Sequence, residues 1–134
     1  MARIFIVDDE QFILELYRDV LTLKGHAILA VAYDGEEAVR RYRAFNEKPD
    51  IVLMDHRMPL KNGVEATREI LQMNPDAIII FGSADVFAES EALAAGAKAF
   101  LPKPFRIDEL LEVVDRYAKG LPRNTRSGPS QSRV

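Results

Sequence analysis

Residues 77–84 read Ala-Ile-Ile-Ile-Phe-Gly-Ser-Ala. A strand with one face in water alternates apolar and polar side chains, because successive residues point to opposite faces. Ala77 to Phe81 does not alternate. Three consecutive isoleucines followed by a phenylalanine read as a strand buried on both faces, as in a central strand of a parallel sheet. Gly82-Ser83-Ala84 then opens a turn.

The pattern continues on both sides of this strand. Downstream, Ala84 to Ala95 is Ala- and Glu-rich and reads as a helix ended by Gly96. Ala99 to Leu101 is a short strand. Ile107 to Lys119 is a helix stopped by Gly120 and Pro122. Upstream, Val64 to Met73 is helical, and Asn74-Pro75 ends it because the residue before a proline is kept out of the helical region. Ile51 to Met54 is a short buried strand. Glu36 to Phe45 reads as a helix capped by Asp34, and Ala27 to Ala32 as a strand. Glu10 to Lys24 carries Phe12, Ile13, Leu16, Tyr17, Val20, Leu21 and Leu23 at helical spacing, with Gly25 at its close. Arg3 to Val7 is the first strand. Five β-then-α units in about 120 residues predict an α/β fold, a (βα)5 doubly wound five-stranded parallel sheet with helices on both faces.

Length and composition agree. The 134 residues fit one domain, expected over 1–120, with 121–134 a Pro-, Gly-, Ser-, Asn- and Arg-rich tail or linker. The chain is 48% hydrophobic and 29% charged, ordinary for a globular protein with a core. It has no cysteine, which excludes disulfides and thiolate metal sites. No apolar run approaches the ~20 residues of a membrane span, and the N-terminus lacks the layout of a secretory signal. The expectation is a cytoplasmic protein without membrane contact. The formal charge is −3, yet Gly120 to Val134 carries Arg123, Arg126 and Arg133 and no acid, leaving −6 on the rest. An acidic body argues against direct nucleic-acid binding.

In a parallel α/β sheet, sites form at the carboxyl ends of the strands. Asp8-Asp9-Glu10 follows the first strand, Asp55 the third, Ser83-Ala84 the fourth and Lys103-Pro104-Phe105 the fifth. Three carboxylates at one edge repel one another: at ~4 Å each pair costs about 1 kcal/mol in water and about 4 kcal/mol at a protein-surface dielectric. Lys103 offsets part of this, and a hard divalent cation would offset more. Mg²⁺ takes oxygen ligands in an octahedron and keeps several waters. Asp9 and Asp55 suit direct ligation, with the Arg57 backbone carbonyl as a third ligand and Asp8 acting through water. Zinc is disfavoured, with no cysteine and only His26 and His56, neither at metal-ligand spacing. Neither histidine is assigned a role. Taken singly, each residue has a plainer reading. Asp8 and Asp9 suit a helix N-terminus, Ser83 suits an N-cap, Asp55 a turn, Phe100 the core, and Lys103 the solvated surface.

Asp8-Asp9, Asp55 with Met58-Pro59 and Gly63 behind it, Ser83-Ala84 and Lys103-Pro104-Phe105, in that order at strand ends, resemble the CheY-like receiver family of two-component response regulators. The resemblance covers residues 3–119 and implies the flavodoxin-like variant of the predicted fold. It implies that Asp55 accepts a phosphoryl group from the phosphohistidine of a histidine kinase or histidine phosphotransfer protein, with Mg²⁺. Lys103 and Ser83 would contact the phosphoryl oxygens. Ser83 and Phe100 would form the switch, and the Lys103-Pro104 bond would be cis. The fourth helix, fifth strand and fifth helix would bind an effector or a fused output domain, or support a phosphorylation-dependent homodimer. Arg57 and Asp85, two residues past Asp55 and Ser83, would overhang the phosphoryl group and set its lifetime.

The chain departs from the family pattern in three places. Serine stands at 83 where threonine is commoner. His56 stands where the family often has an acidic or aliphatic residue. About two residues are missing between Ser83 and Lys103. Other readings fit less well. A flavin mononucleotide binder needs a phosphate loop where Asp8-Asp9-Glu10 stands. An aspartate-nucleophile phosphatase needs an acid where Arg57 stands. A receiver that never accepts phosphate would not need the full acidic set with Lys103. A stand-alone receiver and a receiver segment of a longer transcription factor or hybrid kinase both remain open.

Overall fold

A computed structural model describes residues 1–56, 58 and 61–121. In chain order the elements are β1 (Arg3–Val7), α1 (Gln11–Leu23), β2 (Ala27–Ala32), α2 (Gly35–Ala44), β3 (Ile51–Asp55), α3 (Gly63–Met73), β4 (Ile78–Ser83), α4 (Ala88–Ala95), β5 (Ala99–Pro102) and α5 (Ile107–Lys119). All strand pairs are parallel, in the order β2-β1-β3-β4-β5. The isoleucine strand β4 is interior as expected, although β3 holds the middle of the sheet.

Alternation along the strands divides the core in two. Phe5, Val52, Met54, Ile79 and Phe81 face the side where Tyr42 of α2, Ile70 of α3 and Ala92 of α4 pack. Ile4, Ile6, Ile51, Leu53 and Ile80 face Leu14 and Leu21 of α1 and Val114 of α5. The sheet is therefore doubly wound. The helices are anchored unequally. The buried residues of α5 include Leu110, Val113 and Val114, whereas those of α4 are only Ala88 and Ala92. A fully buried leucine or valine contributes about 1.5–3 kcal/mol, and a methyl-sized group about 0.8 kcal/mol. So α4 is the most lightly held helix of the two on this count, and the easier to displace.

Helix ends follow local chemistry. The Asp34 carboxylate accepts from the Glu37 N–H at 2.7 Å, capping α2 as expected. Asn62 and Glu65 make a reciprocal capping box at α3. At the end of α4, Gly96 turns the chain at φ +113°, a conformation that side-chain-bearing residues rarely adopt. The expected start of the fourth helix is corrected: α4 begins at Ala88, not Ala84. Ser83 Oγ accepts from the Asp85 N–H at 3.0 Å, and Asp85 Oδ1 accepts from the Phe87 N–H at 3.0 Å. The Ala88 N–H then returns to the Asp85 carbonyl. Side chains that bind their own backbone hold residues 83–87 in turns despite the helix-favouring alanines. Ser83 is thus no N-cap, since Phe87 occupies that position. The other boundaries fall within two residues of expectation.

Among the described residues no helix is long and apolar enough to cross a membrane. Residues 122–134, which include most of the expected tail, lie outside the described residues.

Candidate functional site

With strand order β2-β1-β3-β4-β5, the chain leaves β1 toward one side of the sheet and later returns to its other side at β3. The crevice at such a reversal is where open α/β sheets bind ligands. Asp8 follows β1 and Asp55 ends the adjacent β3. Asp55 pairs with Gly82 of β4, and Ser83 pairs with Pro102 of β5, so Ser83 and Lys103 arrive at the same edge.

One carboxylate oxygen from each of Asp8, Asp9 and Asp55 lies within 4.8 Å of the others. Lys103 Nζ donates to Asp55 Oδ1 at 2.8 Å and stands 3.4 Å from Asp8 Oδ2. The Asp8 side chain does two things at once, because its Oδ1 accepts from the Glu10 N–H at 3.0 Å. The bland helix-terminus reading of Asp8 is therefore partly true, although Glu10 holds the N-cap position. Asp8 is 2% exposed, Asp55 9%, and Asp9 is exposed. The Lys103-Pro104 bond is cis, as the resemblance implied.

Burial pushes the Asp55 carboxyl up to about 6; the Lys103 hydrogen bond pulls the other way, and the Asp8 charge adds to the rise. Burial likewise raises Asp8, opposed by the charge of Lys103. Burial works to lower Lys103, but the hydrogen bond and charge of Asp55, then Asp8, outweigh it and raise the lysine. The ammonium is therefore held charged, while the carboxylates remain costly to ionise without a further cation.

The floor of the site went unrecognised in the sequence. A cavity of about 20 Å³ is lined by Asp8, Asp55, Lys103, Tyr17, Phe105 and other apolar groups. The Tyr17 and Phe105 rings stack at 6.1 Å and 24°. Burial, with a smaller contribution from the site carboxylates against Lys103, pushes the Tyr17 phenol up to about 12. Its signal was present as a phenol within an apolar helical stripe, but that stripe reads equally as core.

Ser83 is buried, and its Oγ accepts from the Asp85 N–H, which leaves its own hydrogen free to donate. Phe100 is half-buried and stacks on Phe81 at 6.1 Å and 17°. Asp85 borders Ser83 and holds the Phe87 N–H. Arg57 and Pro59 lie outside the described residues. His26 is a core residue: Nδ1 accepts from the Ala2 N–H at 3.0 Å, and Nε2 lies 3.2 Å from Asp115.

The donor set suits a hard cation. Three carboxylates face one lysine, every donor is oxygen, and Asp9 is exposed on the solvent side. This is the pattern for Mg²⁺, which binds through a few carboxylates and retains water.

Comparison with known proteins agrees with this geometry. Residues 4–115 match the response regulator receiver domain family. The chain is 40% identical over 119 residues to the chemotaxis protein CheY of Thermotoga maritima, covering 87% of this chain and 98% of that protein. It is 36% identical over 121 residues to the transcriptional regulatory protein DegU of Brevibacillus brevis, covering 88% of this chain and 50% of that one. The response regulator TrrA of Thermotoga maritima, solved in complex with Mg²⁺ and BeF, superposes with a TM-score of 0.78 at 36% identity, over 87% of this chain and 99% of that one. The chain belongs to the CheY-like receiver domains of two-component response regulators.

Proposed function

We propose that Asp55 is the phosphoacceptor. The observation that carries this reading is Lys103 Nζ, held 2.8 Å from Asp55 and 3.4 Å from Asp8 inside a cluster of three carboxylates. An Asp55 oxygen attacks the phosphorus of a phosphohistidine on a sensor kinase or histidine phosphotransfer protein. The N–P bond breaks, its electron pair stays on the imidazole, and an aspartyl phosphate forms. A carboxylate is a weak nucleophile, so positioning and charge neutralisation carry most of the rate. Lys103 donates to a phosphoryl oxygen, and the Ser83 hydroxyl to another. Asp9 and Asp55 would hold Mg²⁺, with Asp8 acting through water and the Arg57 carbonyl, which lies outside the described residues, proposed as a third ligand. When bound, the ion supplies the positive charge that the four side chains lack.

Later attack by water restores the carboxylate, so the chain carries out self-phosphotransfer and autodephosphorylation rather than turnover of a separate substrate. Arg57 and Asp85 set how long the phosphate lasts. Ser83 and Phe100 pass its presence to the face of α4, β5 and α5. The light anchoring of α4 supports a movable output surface there. That face engages an effector protein or a second phosphorylated copy. The match to half of DegU favours a second reading, in which a fused output domain takes the effector's place.

The test is incubation with Mg²⁺ and acetyl phosphate, followed by intact mass. The wild type gains one phosphoryl group and Asp55→Asn gains none. Equal labelling of the two proteins rules Asp55 out.

A further inference from the structure

His56 follows Asp55 directly, and strand alternation turns its side chain to the opposite face of the sheet. Its imidazole lies 5.6 Å from the Phe81 ring at 45°. Phe81 is fully buried and stacks in turn on Phe100 at 6.1 Å and 17°. The sheet register produces this row: Asp55 pairs with Gly82, and Phe81 with Phe100. Three rings, one from the residue just past β3 and two from the neighbouring strands β4 and β5, thus run from the residue after the acceptor to the half-buried Phe100. The row lies on the face that packs against α2, α3 and α4. At its head the Gly63 N–H donates to the His56 carbonyl at 3.0 Å, which ties the row to the start of α3.

Stability alone does not account for a histidine at position 56. Its Nδ1 is enclosed and finds no hydrogen-bond partner among the described residues, a cost that a phenylalanine or leucine would avoid. The ring packing is what the position retains.

We propose that His56 is a positioning residue that couples loading of Asp55 to Phe100 through the Phe81 ring. This rests on the reading of Asp55 as the acceptor. A displacement of the β3 end on loading moves the His56 ring, and close packing passes the shift along the row, since packed aromatic rings do not deform continuously. The coupling resides in the ring, so a benzene ring can replace the imidazole and an aliphatic chain cannot.

The experiment is a double-mutant cycle on binding of beryllofluoride with Mg²⁺, using wild type, His56→Leu, His56→Phe, Phe100→Leu and the two doubles. Phe ring carbon signals are followed by NMR. In the wild type, Phe100→Leu changes the affinity. In the His56→Leu background that effect shrinks by about fivefold or more, and in the His56→Phe background it persists. Loading shifts the Phe100 ring signals in wild type and His56→Phe, and leaves them near their starting positions in His56→Leu. Both His56 variants melt no lower than wild type, which excludes simple unfolding. Wild type that loads while the His56 and Phe100 effects add independently overturns the ring row and leaves Asp55 as the acceptor. Wild type that takes no beryllofluoride overturns the acceptor reading and this coupling with it.

Discussion

Gly63 lies so close beneath Asp55 that a β-carbon at 63 would overlap the Asp55 carbonyl oxygen and stand 2.9 Å from His56 Cα. The obstruction is backbone, which cannot swing aside as a flexible side chain can. The first residue of α3 must therefore be glycine if the acceptor is to keep its place. Gly63→Ala should lower stability by about 1–3 kcal/mol, as overpacking does, and slow labelling by acetyl phosphate. Gly120→Ala is the control, because among the described residues a β-carbon there meets only the Tyr117 carbonyl at 3.7 Å. Urea melts of both variants check the contrast, and equal melting would show that the α3 start yields easily.

Asp55 should make the metal-free protein less stable at neutral pH than its asparagine variant. Burial raises its pKa from 3.8 to about 6, so the fold favours the protonated acid. Below pH 3.8 folded and unfolded chains are both protonated, and the contribution is fully present. Between 3.8 and 6 the unfolded chain ionises first and stability falls. Above 6 both are ionised and the loss is complete. Asp55→Asn keeps a hydrogen-bond acceptor for Lys103 and removes the charge. It should gain on the order of 1–3 kcal/mol at pH 7, from about 1.4 kcal/mol per pKa unit. It should also flatten the slope between pH 4 and 6, leaving a residual slope of the same sign from Asp8. Denaturant melts in EDTA across that range measure both. An asparagine variant less stable than wild type at pH 7 would contradict the sign.

Asp9 separates metal binding from folding. It is the exposed member of the carboxylate trio, and its side chain has no share in the Lys103 contacts. Asp9→Ala should change metal-free stability by no more than about 0.5 kcal/mol, as exposed substitutions do. Wild type should melt higher as Mg²⁺ is added, by the logarithm of ligand concentration over dissociation constant. The variant should need at least about tenfold more Mg²⁺ for the same rise. Thermal melts over a Mg²⁺ series decide the matter, and identical curves would remove Asp9 from the ligand set.

The sheet was legible because each strand is a short apolar run and each break carries a glycine, proline or capping residue. Asp8, Asp55, Ser83 and Lys103 were legible because parallel topology sends every strand end to one edge, so position in the chain predicts position in space. The start of α4 was not, since alanine propensity argued for Ala84 while Ser83 and Asp85 bound the backbone locally. The His56–Phe81–Phe100 row was hidden for a different reason. It depends on the register between strands far apart in the chain, and a one-residue slip would break it. The pairing of His26 with Asp115, which lie 89 residues apart, was hidden in the same way.

Arg57 and Asp85 should act together on the lifetime of the phosphate, and the loop chemistry dictates which variants can show it. Asp85 Oδ1 holds the Phe87 N–H, so Asp85→Ala would loosen the turn that delays α4 as well as remove a charge. Asp85→Asn keeps the acceptor oxygen and removes only the charge. Were the two charges paired, an ion pair open to water would contribute only about 0–1 kcal/mol to stability, so neither Arg57→Ala nor Asp85→Asn should shift the melt appreciably. The effect proposed for hydrolysis is of another kind: side chains that overhang a phosphoryl group would block or order the one water that attacks in line. Each single variant should speed dephosphorylation, and the double variant should be no faster than the faster single, since either loss opens the same gate. Phosphate release from preloaded protein, followed for all four proteins, gives the cycle. Additive changes in the logarithm of the rate would mean that the two residues act separately and that no gate exists.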